Sequence, residues 1–415
     1  MKLEVLTIGT ELLLGYTVDT NAAELGRALA AAGAEITRRT TVADRPEAIR
    51  AGVVEALERT GFVIATGGLG PTRDDMTKTV VAELLDKRLV LDERVLASIE
   101  ARFQRMGRPM PPSNRTQAEI PEGATILPNP RGTAPGLWVE DARGRIVVLL
   151  PGVPREMRGL LVEEVLPRIV ARQGGSRRVV LSRTVRTTGV SESVLAERVG
   201  PIEPEIAPLT LAYLPSVEGV DLRVTAWELE PQDADARVAA VLQRVRAAVG
   251  EHGYGEDEAD LAAVLLDALR TGRHRLAVAE SCTGGMIGER ITNIPGASDT
   301  FIGGVVAYAD VIKTAALKVP LETLEAYGAV SEATVRAMAE GAQRLFSADC
   351  TIAVTGIAGP GGGTPEKPVG TVWLAARKHT TTRVLTRLLP GERDDVRRRA
   401  AQAGLDLLRR LLAET

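Results

Sequence analysis

The string Ala279-Glu-Ser-Cys-Thr-Gly-Gly285 joins a short apolar run, Leu276–Ala279, to a glycine-containing helix start. A serine on a tight strand-to-helix turn is presented to a ligand, and the N–H groups that follow can stabilise an oxyanion. Ser281 is a poor nucleophile without a base. The chain has only three histidines, His252, His274 and His379, and none matches a serine–histidine pattern. Lysine is the remaining base, since a desolvated ammonium can lose its proton near neutrality. Lys313 follows Tyr308 by five residues, around the end of one strand and the start of the next helix. Ser281 and Thr283 can equally serve as helix caps and phosphate ligands, with Lys313 a solvated charge. Cys282 is a rival nucleophile without an evident partner, and as a small residue it reads as buried packing. Cys282, Thr283, Gly284 and Gly285 together form the substrate-facing turn.

Two glycine-rich stretches offer phosphate sites. Thr355-Gly-Ile-Ala-Gly-Pro-Gly-Gly-Gly-Thr364, which contains Gly356, is long enough to wrap a nucleotide phosphate or ribose, or to be a plain loop between strands. Thr66-Gly-Gly-Leu-Gly-Pro-Thr-Arg-Asp-Asp-Met-Thr77 follows an apolar strand and opens a helix. Gly67, Gly68 and Gly70 let backbone approach a ligand, and Thr72 and the helix start favour an anion. Asp74 and Asp75 can hold a divalent cation on phosphate oxygens, or simply cap the helix. The loop from Gly9 to Asn21 falls at the same carboxyl edge, where open α/β sheets bind ligands.

The elements that must position these residues come from periodicity. Strands at Leu3–Ile8, Glu35–Val42 and Phe62–Ala65 alternate with helices at Asn21–Ala32, Arg45–Arg59 and Asp74–Leu85, which predicts a doubly wound, mostly parallel sheet. A further helix is expected at Glu93–Arg105, a hairpin at Leu137–Leu149, and a helix from Pro154 to about Ala171. Gln173–Ser176 reads as a linker, followed by a small β-α-β-β-α module with no catalytic constellation. Glu251–Asp260, with five acids and two glycines, reads as a second linker. Beyond it lies another α/β unit, with strands at Leu276–Ala279, Gly303–Tyr308, Thr351–Val354 and Thr371–Ala376 and a last helix at Glu392–Glu414. The expected domains are 1–172, 176–250 and 256–415.

Composition bounds the function. The 415 residues carry a formal charge of −3 and 3% aromatic residues, which offers little for nucleic-acid binding. No apolar run approaches the roughly 18 residues of a membrane span. Two cysteines leave no disulfide framework, and a cytoplasmic enzyme is expected.

Family resemblance sharpens this picture. Thr66-Gly-Gly-Leu-Gly with Asp75 resembles the molybdopterin-binding fold of molybdenum-cofactor biosynthesis proteins. Gly9-Thr-Glu-Leu-Leu-Leu-Gly15, Gly67–Asp75 and Pro151-Gly-Val-Pro-Arg-Glu-Met157 resemble the competence/damage-inducible CinA family, over the whole chain. The resemblance implies a molybdopterin-binding-like N-terminal domain that hydrolyses ADP-ribose to AMP and ribose 5-phosphate. It implies a divalent metal of the Mg, Co or Ni type, accompanied by potassium, with Asp75, Asp74 and Glu156 as acidic candidates. Glu156 can equally be an ordinary acid at a helix start. Ala279–Gly285, Tyr308-Ala-Asp-Val-Ile-Lys313 and Val354-Thr-Gly-Ile-Ala-Gly-Pro360 are similar to the CinA C-terminal domain. Its stand-alone relatives are nicotinamide mononucleotide (NMN) amidohydrolases, a cofactor-free activity. The resemblance makes Ser281 the nucleophile, Lys313 the base, Tyr308 and Thr355 supporting groups, and Arg397 a phosphate contact. It also implies a homodimer. Asp310 stands where relatives often carry asparagine. A non-catalytic accessory protein of competence or DNA repair and a pterin-binding carrier are the alternatives.

Overall fold

The computed structural model describes residues 1–174 and 178–414. Part of the expected Gln173–Ser176 linker and the start of the strand expected from Arg177 lie outside the described residues. The chain forms two compact units, Met1–Leu181 with Ala226–Ala236, and Ser182–Thr225 with Arg237–Thr415.

In the first unit the strands are β1 (Lys2–Ile8), β2 (Glu35–Val42), β3 (Phe62–Thr66), β4 (Leu89–Leu91), β5 (Glu119–Pro121), β6 (Thr125–Leu127), β7 (Gly136–Glu140) and β8 (Ile146–Leu150). Six of them make one sheet in the order β2-β1-β3-β8-β7-β6. The first four are parallel, and β7 and β6 add an antiparallel margin. Alternate residues of the parallel strands face opposite ways. Leu3, Val5, Ile64 and Val148 pack with Leu25, Leu29 and Met157 on one side, while Leu6, Val63 and Leu149 pack with Ile49, Val53 and Val81 on the other. Helices therefore cover both faces, as a doubly wound sheet requires.

One boundary moves. The helix expected from Asp74 begins at Thr77 and ends at Leu84. The Asp75 carboxylate accepts from the Thr72 amide (2.9 Å) and hydroxyl, closing a tight turn ahead of the helix. Met76 occupies the helix cap without a side-chain hydrogen bond, so neither aspartate caps it.

The second unit holds most of the middle module and the C-terminal sheet. Strands β9 (Val179–Thr187), β10 (Thr210–Pro215), β11 (Val220–Leu229) and β12 (Gly253–Glu256) make a four-stranded sheet in the order β10-β11-β9-β12. The stretch Glu251–Asp260 is thus ordered, not a free linker. β12 pairs antiparallel with β9, and the Asp257 carboxylate accepts from Arg183 (2.8 Å) and from the Thr184 amide (2.9 Å). Its acids look solvated in sequence because their basic partners are distant along the chain.

Strands β13 (Leu276–Glu280), β14 (Phe301–Val306), β15 (Cys350–Gly356), β16 (Thr371–Lys378) and β17 (Thr381–Leu388) form a sheet in the order β14-β13-β15-β16-β17. β14, β13 and β15 are parallel, and β16 and β17 run antiparallel. β17 was not expected, because an edge strand of threonines and arginines carries no apolar alternation. One face packs Val278, Ile352 and Leu374 on the helices Leu261–Gly272 and Arg393–Ala413. The other presents Ala279, Ala353 and Ala375, flanked by the partly buried Val305, Trp373 and Val384, to the helix Glu332–Phe346.

Tyr254 ties the two sheets of this unit together. Its strand is paired with β9, yet its ring is buried in the core of the C-terminal sheet, with the Arg186 guanidinium 5.9 Å from its centroid. Tyr254→Ala is expected to cost about 3 kcal/mol, the range for losing a buried aromatic ring. Urea unfolding followed through Trp373, in a Trp138→Phe, Trp227→Phe background, measures it.

Candidate active site

Register places the C-terminal residues. Glu280 stands level with Val306 on one neighbour and Val354 on the other. The next residues out of the three parallel strands are therefore Ser281, Ala307 and Thr355. The Ser281 amide donates to the Val354 carbonyl (2.9 Å) and the Ala307 amide to the Glu280 carbonyl (2.7 Å), which fixes that level. Tyr308 follows at once, and the helix Asp310–Ala315 brings back Lys313. Ser281, Tyr308, Lys313, Thr355 and Gly356 line one cleft of about 280 Å³, together with Arg393.

The turn that carries Ser281 is held by a residue the sequence reading passed over. Glu280 is 1% exposed, and its carboxylate accepts from the amides of Gly285 (3.0 Å), Ile287 (3.1 Å) and Gly288 (2.8 Å). Those are first-turn donors of the helix Met286–Thr292, which lack intrahelical partners. Gly284 and Gly285 take φ of 61° and 95°, which an L side chain resists, so the tight bend requires glycine there. The Gly284 amide donates to the Ser281 carbonyl (3.0 Å), so it belongs to the turn and is not free for an oxyanion. Thr283 is fully buried and its hydroxyl has no hydrogen-bond partner.

Lys313 is among the most buried large side chains of the chain. Its Nζ donates to Asp310 Oδ1 (3.0 Å) and to the Tyr308 carbonyl (3.3 Å). Tyr308 thus holds the lysine by its main chain. Its phenol is exposed and accepts from Arg393 Nη2 (2.8 Å), while Arg393 Nη1 donates to the Gly359 carbonyl (2.6 Å). Thr355 donates to the Ala329 carbonyl (2.8 Å). Arg397 does not line the cleft; its Nη2 donates to the Thr283 carbonyl (3.0 Å). Cys282 is buried in the hydrophobic core, where burial pushes its thiol up to about 12. His274 and His379 meet edge to face with ring centroids 5.3 Å apart, at the opposite ends of their strands from Ser281.

In the first unit the glycine loop leaves β3 against two neighbouring strand ends. A Cβ on Gly67 would lie 2.2 Å from the Ile8 carbonyl, and one on Gly68 would lie 2.1 Å from Thr77 Oγ1. Only glycine fits at either place. Asn21 Nδ2 donates to the Gly152 carbonyl (2.7 Å) and Thr66 Oγ1 to the Pro151 carbonyl (2.9 Å), which binds this loop to the one after β8. Gly70 packs on the Asp75 carboxylate. Asp74 is exposed, and a hydrogen bond from Thr72 holds its carboxyl below the usual range. Lys78, unremarked in the sequence, donates to the Thr116 carbonyl, and burial lowers its ammonium to about 8.

The expected metal set does not assemble. Among the described residues no three His, Cys, Asp or Glu side chains converge on one point. Glu156 instead accepts from Asn129 Nδ2 (2.7 Å), and Asp75 is turned onto Thr72. Both carboxylates serve their loops, so these residues do not form a protein cage for a cation. No described helix is long and apolar enough to cross a membrane.

Comparison with known proteins covers the chain in three segments. Residues 4–171 match the family described as a probable molybdopterin binding domain, 182–255 the damage-inducible protein CinA KH domain, and 258–412 the CinA C-terminal domain. A CinA-like protein of Gemmatimonas aurantiaca is 52% identical over 414 residues, covering 100% of this chain and 97% of that one. A CinA-like protein of Gloeobacter violaceus is 46% identical, covering 98% and 96%. Among solved structures, a protein CinA of unknown function from Thermoplasma acidophilum is 38% identical over 41% of this chain and 97% of its own, with a TM-score of 0.37. The KH character of the middle module was not expected from sequence.

Two outcomes follow from the turn. Glu280→Ala leaves three amides without their carboxylate and should cost about 3 kcal/mol, read by thermal unfolding, with Glu280→Gln losing less. The Cys282 and Cys350 thiols are both pushed up to about 12 by burial. At pH 8 a free thiol is about one-quarter thiolate, and these are about one part in ten thousand. Iodoacetamide at pH 8 should therefore label neither cysteine in the folded chain and both in urea, as counted by mass spectrometry.

Proposed function

The chain belongs to the CinA family, and from that premise we propose that its C-terminal cleft deamidates NMN to nicotinate mononucleotide and ammonia. The observation that carries the proposal is the convergence of Ser281, Lys313, Thr355 and Tyr308 on one cleft at the ends of adjacent parallel strands. Ser281 Oγ attacks the carboxamide carbon, and Lys313 is the base that takes the hydroxyl proton. The same lysine returns that proton to the departing nitrogen, so ammonia leaves as a neutral molecule and an ester remains on Ser281. Water, deprotonated by Lys313, then resolves the ester. Asp310 and the Tyr308 carbonyl fix Nζ at this site. Arg393, which lines the cleft, supplies a cation for the phosphate.

The proposal extends to the first unit, where the Gly67–Gly70 loop receives the pyrophosphate of ADP-ribose and water splits it into AMP and ribose 5-phosphate, with Asp75 holding the loop through Thr72. Its support is the backbone packing that admits only glycine at 67 and 68. The family resemblance also supports a cytoplasmic homodimer, and both cysteines are free thiols.

Pure protein incubated with NMN and ADP-ribose, with ammonia and AMP followed separately, tests both halves. Ser281→Ala and Lys313→Ala should each lower ammonia release at least about a thousandfold, given that a single oxyanion donor costs about 10²–10³. Cys282→Ala should keep most of it. Asp75→Asn should depress AMP release alone. Substantial turnover by Ser281→Ala would remove the nucleophile from this reading, and absence of both products from the wild-type chain would leave an accessory or carrier role.

A further inference from the structure

A second cavity lies within the same unit, away from the Ser281 cleft. It has a volume of about 490 Å³ and is bounded by the loops Thr188–Val190 and Val217–Gly219, by β17, and by one stripe of the last helix. Ligand pockets occupy roughly 300–1,000 Å³, so the space suits a small molecule. The stripe is Arg399, Gln402, Ala403, Asp406 and Arg410, residues three or four apart on one helical face. Gln402 is only 2% exposed, yet neither Nε2 nor Oε1 of its amide has a hydrogen-bond partner. A buried amide with neither end partnered is costly until water or a ligand completes it.

The charges around it are unevenly matched. Asp406 accepts from Arg409 and Arg410 (both 2.7 Å), Glu251 pairs with Arg410 (2.9 Å) and Glu218 faces Arg290 (3.8 Å). Every acid of the lining thus has an arginine. The converse fails among the described residues, where Arg387 donates only to the Thr386 carbonyl and Arg399 Nε is buried without a partner. Leu385, Leu389 and Leu407 supply apolar wall between these polar groups.

We propose that this cavity is a binding site for an adenine mononucleotide, with Gln402 on the base edge and Arg387 and Arg399 on the phosphate. A glutamine amide offers one donor and one acceptor side by side, which matches the N6 and N7 of adenine. Leucine side chains suit the faces of a planar ring, and guanidinium groups suit phosphate oxygens. Nothing in this assignment depends on the chemistry proposed for Ser281 or for the glycine loop of the first unit.

The test is titration of the full chain with AMP, adenosine and inorganic phosphate, with hydrogen exchange to locate the binding. AMP should protect the amides of 187–190 and 381–389, and bind at least tenfold more tightly than adenosine or phosphate. Gln402→Leu and Arg387→Glu should each weaken that binding at least tenfold. Arg387 is exposed on an edge strand, so its variant keeps the fold even where Gln402→Leu does not. AMP that leaves both segments unprotected, an unchanged affinity in Arg387→Glu, or phosphate that binds as tightly as AMP would overturn the assignment.

Discussion

The Glu280 carboxylate is the interaction on which the C-terminal cleft depends. A helix of seven residues, Met286–Thr292, starts soon after a buried strand, and its first amides have no partner within the helix. Burying a carboxylate costs several kcal/mol, but three charge-assisted hydrogen bonds at about 1.5–3 kcal/mol each, at the positive end of a helix, offset it. The carboxylate sits one residue before Ser281. Whatever fixes it also fixes the angle at which the serine leaves the sheet. Gly284 and Gly285 then bend the chain as no other residue can, and Arg397 holds the Thr283 carbonyl from the last helix.

The cleft itself is a product of strand register. Hydrogen bonding between β13 and its two parallel neighbours sets Ser281, Ala307 and Thr355 level, so residues far apart in sequence reach the same rim. The alanine face of the sheet lets the helix Glu332–Phe346 settle close. Gly341 of that helix lies against the Leu317 carbonyl, where a Cβ would come within 1.9 Å. Lys313 is enclosed with Asp310 and the Tyr308 carbonyl as its partners.

The glycine loop of the first unit shows the same principle with different chemistry. Gly67 and Gly68 are required by the approach of Ile8 and Thr77, and Asn21 joins that loop to the one after β8. The carboxylates that sequence suggests for a metal are spent locally: Asp75 folds its own turn and Glu156 holds Asn129. Spacing along the chain brought acids near a phosphate-type loop, but side-chain hydrogen bonding decided where they point.

Sequence alone determined the strand and helix order, because buried parallel strands such as Phe62–Thr66 and Leu276–Glu280 are unbroken apolar runs and helices such as Glu93–Arg105 repeat at the helical period. It also determined the strings around Ser281, Lys313 and Thr355, since glycines at a turn and polar residues at a strand end are local features. It missed β17, whose stability comes from pairing with β16 and not from its own apolar pattern. It read Glu251–Asp260 as a linker, because charge is visible in sequence while Arg183, the partner of Asp257, is not. Only the tertiary structure decided that Glu280 is buried, that the Tyr308 phenol meets Arg393 while its carbonyl meets Lys313, and that Gln402 faces a cavity with its amide open. Each of these depends on which distant backbone or guanidinium stands within 3 Å or so, a distance set by packing and register and absent from the order of residues.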